Sequence, residues 1–81
     1  MERVYYPNLE AELLRAGISK SDLAAFIGIS VSALYAKMNG SRPFKLNEAI
    51  KITKYISIAT EREYFVEYLF KLDPDPVFLD D

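Results

Sequence analysis

The stretch from Leu23 to Gly40 constrains this chain more than any other part of it. Leu23, Phe26 and Ile27 recur at helical spacing and face one way. Gly28 interrupts the run. Ser30 then offers a side-chain cap for a second helix, which carries Leu34 as its buried anchor. Ala24 is small where the two helices have to approach each other. Asn39-Gly40 closes the second helix, because both residues tolerate positive φ. Two short helices joined in this way make a helix-turn-helix motif.

The flanking segments predict three more helices. Helix 1 is expected from about Pro7, which suits a first helical position, to Ala16, with Leu9, Leu13, Leu14 and Ala16 as its apolar stripe and Gly17 as its stop. Ser19-Lys-Ser-Asp22 fits a capping box that opens helix 2, and helix 3 is expected over Val31 to Met38. After the connector Ser41-Arg42-Pro43, helix 4 is expected over roughly Leu46 to Ile56. Its inward face would be Leu46, Ala49, Ile50, Thr53 and Ile56, with Ile52 broadening it and Lys51 and Lys54 on the wet side. Thr60-Glu-Arg-Glu63 reads as a second capping box, opening a helix 5 with the stripe Phe65, Tyr68, Leu69 and Leu72. Pro74 and Pro76 forbid continuation. No segment alternates over strand length, so the expected class is all-α with five helices.

Composition narrows the function classes. The 81 residues suit one domain: a helix-turn-helix domain over residues 1–72, with its motif at about 20–40, and an acidic tail over 73–81. The tail holds three consecutive apolar residues, Val77, Phe78 and Leu79. The chain has neither Cys nor His, so disulfides and thiolate metal sites are excluded, and most nucleophilic, general-base and zinc chemistry lacks its usual residues. Asp73 and Asp75 lie in an Asp-Pro-Asp-Pro turn segment with no catalytic partner nearby. A non-enzyme is therefore expected, with no cofactor, metal or small-molecule substrate. No apolar run approaches the roughly 18 residues of a membrane span, and Met1–Asn8 does not read as a signal peptide. A cytoplasmic protein without a membrane partner is the expectation. Residues 1–57 carry eight basic side chains against five acidic ones, and residues 58–81 two against seven, which together give the net charge of −2. The basic body and acidic tail matter more to a local field than the total does.

The motif residues Leu23, Ala24, Gly28, Ile29, Ser30, Ser32, Leu34 and Asn39-Gly40, with the downstream segment from Ser41 to Ile56, make the chain resemble the phage repressor and Cro-like helix-turn-helix proteins of the XRE type. The resemblance covers about Asn8 to Ile56. It implies a compact lambda-repressor-like domain of five helices, with the helix-turn-helix on helices 2 and 3. At two places the chain departs from relatives: Met38 stands where Glu is common, and the outward face Val31, Ser32, Tyr35, Ala36 lacks the Gln, Arg or Asn that many of them carry.

On this resemblance the chain is a sequence-specific, double-stranded DNA-binding transcription regulator, a repressor of phage or prophage type, with helix 3 in the major groove. Ser30 and Ser32 would meet phosphate or base edges, and Ser30 also serves as a cap. Val31 and Tyr35, one turn apart, would face the groove beside Ala36; the other reading of Tyr35 is a partly buried ring beside Leu34. Lys20, Lys37, Arg42 and Lys45 would neutralise phosphates, or form an ordinary solvated surface. Tyr64, Phe65, Tyr68 and Leu69 are candidates both for core packing and for a homodimer interface, made through helix 5 or the tail. The alternative from another class is the same fold used as a protein-binding module, such as an antirepressor or a phage accessory protein.

Overall fold

A computed structural model describes residues 5–72. The expected tail segment, residues 73–81, lies outside the described residues. The elements are α1 (Pro7–Ala16), α2 (Lys20–Ile27), α3 (Val31–Met38), α4 (Leu46–Thr60) and α5 (Val66–Leu69), and no strand occurs among the described residues. The all-α, five-helix expectation holds, and helices 1 to 3 have the bounds predicted for them.

Local chemistry explains the helix-turn-helix. The Ser19 hydroxyl oxygen accepts from the Asp22 N–H at 3.0 Å and opens α2, and Ser30 does the same for Ala33 at 3.0 Å and opens α3. Between them Gly28 takes a left-handed conformation, φ 82°, so that its own N–H and that of Ile29 both reach the Ala24 carbonyl. A side chain at Gly28 would be strained by that φ. Ala24 and Leu34 are both buried, and α2 packs closely on α3. Gly40 is also left-handed, and an added Cβ there would meet the Tyr5 ring at 2.6 Å, so glycine lets that ring close over the end of α3.

The core forms where all five helices meet: Leu9 and Leu13 from α1, Leu23 and Ile27 from α2, Leu34 and Met38 from α3, Ile52 and Ile56 from α4, and Leu69 from α5. Tyr6, Phe44 and Phe70 pack edge to face at its border, with centroids 5.1–5.7 Å apart.

Several expectations are corrected. Helix 4 does not end at Ile56, and Thr60 does not cap helix 5. The Thr60 hydroxyl donates to the Ile56 carbonyl at 2.8 Å, a back-bond that keeps Thr60 inside α4. The helix stops instead at Glu61, whose φ is 56°, with the Arg62 N–H bonding the Ser57 carbonyl. The inward face of α4 is rotated: Glu48, Ala49, Ile52, Thr53 and Ile56 are buried, while Leu46 and Ile50 are exposed. Leu14 and Phe26, expected inward, are also exposed, Phe26 stacking on Tyr55 at 4.4 Å. Helix 5 is a single turn because Phe65 is still extended, ψ 147°. Of its expected stripe only Leu69 is buried; Phe65, Tyr68 and Leu72 are exposed.

Besides Leu69 in the core, a buried carboxylate on α1 holds this short element. Glu12 follows Leu9 at i+3 and is 2% exposed. It accepts from the Tyr64 hydroxyl at 2.7 Å, the Tyr68 hydroxyl at 2.9 Å and the Arg15 guanidinium at 2.8 Å. Burial by itself raises the Glu12 carboxyl, but the two tyrosine hydroxyls and Arg15 outweigh it, and its pKa lies below the ordinary 4.5. A carboxyl lowered on folding stabilises the fold above its unfolded pKa and loses that contribution as the pH falls through the folded value. Thermal melts followed by circular dichroism should therefore show stability falling once the pH drops below about 4.5. Glu12→Gln should make that fall shallower, and an unchanged slope would contradict the assignment.

Candidate nucleic-acid interface

The α2–α3 packing turns one face of α3 inward and leaves the other in solvent. Leu34, Lys37 and Met38 are buried. Val31, Ser32 and Tyr35 are exposed, Tyr35 at 51%, and Ala36 is half-buried beside them. The expected outward face is thus the observed one, with about half of the Tyr35 side chain covered. At the start of α3 the first-turn N–H groups have no carbonyl to bond within the helix. Ser30 takes that of Ala33, while those of Val31 and Ser32 lie at an end where the helix dipole favours an anion.

Basic side chains border this face on two sides. Lys20, the first residue of α2, places its Nζ 5.4 Å from the Tyr35 ring centroid and 3.0 Å from the Glu10 carboxylate. It therefore bridges α1 and α3 and arrives partly neutralised. Arg42 and Lys45 are exposed beyond the other end of α3. The Arg42 N–H bonds the Ala36 carbonyl at 3.2 Å, which folds the connector back on the end of α3.

Lys37 is a correction. It was expected at the surface among the phosphate-binding cations, and it is 5% exposed. Its Nζ donates to Glu48 Oε1 at 2.9 Å and to the Pro43 carbonyl at 3.3 Å. The same Glu48 oxygen accepts the Lys45 N–H at 2.9 Å, at the start of α4. Burial alone raises the Glu48 carboxyl; the Lys37 hydrogen bond, the Lys45 N–H and the positive charges of both lysines overcome this and lower its pKa. The pair ties the end of α3 to the beginning of α4. A signal was present in the sequence, because Lys37 is i+3 from Leu34 and adjoins Met38 on the inward stripe, and Glu48 stands at i−4 from Ile52. Glu12 is marked in the same way between Leu9 and Leu13. A charge inside an apolar stripe points to a partner: Lys37 finds Glu48 11 residues away, and Glu12 adds two distant tyrosines to its neighbour Arg15.

The candidate dimer residues divide. Leu69 is fully buried in its own core, which removes it from any interface, because its side chain is spent holding α5 on the domain. The hydroxyls of Tyr64 and Tyr68 are engaged by Glu12, and that bond raises the Tyr68 pKa. Phe65 remains 61% exposed.

Residues 3–68 match the BetR domain family. The chain belongs to the BetR domain family. This is a family of helix-turn-helix type, which supports the helix-turn-helix reading but does not single out the phage Cro-like proteins. No curated protein and no solved structure matches the chain. In this BetR domain, no helix among the described residues is long and apolar enough to cross a membrane.

The Lys37–Glu48 pair generates a prediction. Lys37→Ala leaves a buried carboxylate without its cation and should cost about 3–5 kcal/mol of unfolding free energy. Lys37→Met combined with Glu48→Gln, which keeps an acceptor for the Lys45 N–H, should cost clearly less. Urea unfolding of the three proteins checks it, and equal losses would show that the pair does not act as a unit.

Proposed function

We propose that this BetR domain is a sequence-specific, non-enzymatic DNA-binding transcription regulator, used in the manner of the phage repressor and Cro-like proteins it resembles. The observation that carries the reading is the exposed face of α3. Val31, Ser32 and Tyr35 stand outward on a rigid two-helix scaffold, with an anion-favouring helix start at one end and Arg42 and Lys45 beyond the other. With α3 in a major groove, the Val31 methyl groups suit a thymine methyl, and the Tyr35 hydroxyl suits a base edge or phosphate. Arg42, Lys45 and the N–H groups at the start of α3 suit the flanking phosphates. Two copies would read half-sites about 34 Å apart. Exposed Phe65, with the rims of Tyr64 and Tyr68, would be the apolar edge of such a dimer.

A second reading is a protein-binding module built on the same fold. It is favoured by one specific feature: the outward face of α3 holds no Arg, Asn or Gln for bidentate base contacts.

Fluorescence anisotropy with labelled duplexes at low salt separates the two. Binding should occur and weaken with salt. Arg42→Glu and Lys45→Glu should each weaken binding to every duplex and lower the log–log salt slope by about 0.9. Tyr35→Ala should change the preference among duplexes more than the overall affinity. Absence of binding to operator-like and random duplexes at micromolar protein would refute the DNA reading.

A further inference from the structure

The outer side of α1 carries a second stripe that the core does not use. Pro7, Glu10, Ala11 and Leu14 recur at i, i+3, i+4 and i+7, and Leu14 is 84% exposed, the largest value among the exposed apolar side chains of the described residues. The stripe forms one wall of a groove of about 560 Å³, and the opposite side includes Lys20 of α2 and Tyr35 of α3. The groove therefore runs from the first turn of α1 to the face of α3 described above.

We propose that this groove is the docking site of the chain's own Val77-Phe78-Leu79. Reach is the first argument. The Asn8 side-chain amide donates to the Tyr68 carbonyl at 2.8 Å, and Phe70 packs on Tyr6, so the end of α5 lies against the first turn of α1. The five residues from 73 to 77 extend up to about 17 Å, and the ten residues of α1 make a helix about 15 Å long. The whole length of the stripe is within range.

Chemical fit is the second argument. Val77, Phe78 and Leu79 are three consecutive apolar residues, with Asp73 and Asp75 before them and Asp80 and Asp81 after them. Laid along α1 from Pro7, the apolar residues cover Ala11 and Leu14. The carboxylates that follow then arrive at the Lys20 ammonium and the start of α2, where the helix dipole favours negative charge. Glu10 already holds Lys20 at 3.0 Å, so the ammonium is shared among carboxylates. The docking does not rest on the DNA reading of α3.

The protein has no Trp, so Phe78→Trp in the full chain is a single fluorescent reporter. The expected result is a blue-shifted emission, protected from acrylamide and independent of protein concentration. Adding Leu14→Gln, at a position too exposed to disturb the fold, should return the emission to that of a solvated indole, with circular dichroism unchanged. A solvated emission in the single variant would overturn the proposal. So would a blue shift that Leu14→Gln leaves in place, or one that grows with concentration and reports a second copy.

Discussion

A charge that a helix turns inward has to be answered by another part of the chain, and this small domain meets that constraint twice. Glu12 on α1 is answered by Tyr64 and Tyr68, 52 and 56 residues away in sequence. Glu48 on α4 is answered by Lys37 on α3. Apolar packing decides that the helices gather, but it is non-directional and tolerates sliding. The two carboxylates are directional, because each needs its donors at hydrogen-bond distance to offset the cost of burial. One network fixes α5 on α1, and the other fixes the end of α3 to the start of α4. No buried side-chain polar atom among the described residues lacks a partner, so both networks are fully satisfied.

The consequence for the site is orientation. The outward face of α3 is defined by what α3 commits inward: Leu34 and Met38 to the core, and Lys37 to Glu48. With those three held, Val31, Ser32 and Tyr35 have nowhere to point but solvent. The commitment of Lys37 also thins the electrostatic border of the face, leaving Arg42 and Lys45 beyond its end and a Lys20 shared with Glu10. A nucleic-acid interface on this face would lean on the start of α3, a tyrosine and a small number of cations rather than on a dense basic patch. That agrees with a net charge of −2.

Much of this was legible in the residues. The bounds of α1, α2 and α3, the caps at Ser19 and Ser30 and the turn at Gly28 follow from local chemistry, and all are found where the sequence puts them. The errors lie where two local readings compete. Thr60 with Glu63 has the spacing of a capping box, yet a threonine hydroxyl satisfies itself equally well on the carbonyl four residues back, and the continuing helix takes that option. In α4 the apolar residues Leu46, Ile50 and Ile52 span more than one face, so periodicity left its rotation open. In α3 the positive charge of Lys37 was read as surface because lysine usually is, although its helical position set it among buried residues.

The sequence by itself determined the helices and the motif, because caps, glycine turns and 3.6-residue periodicity act within a few neighbouring residues. Only the tertiary structure decided which charges are spent inside and which remain for a partner. That choice depends on donors and acceptors 11 to 56 residues apart meeting in a shared dry interior, and no local pattern encodes their meeting.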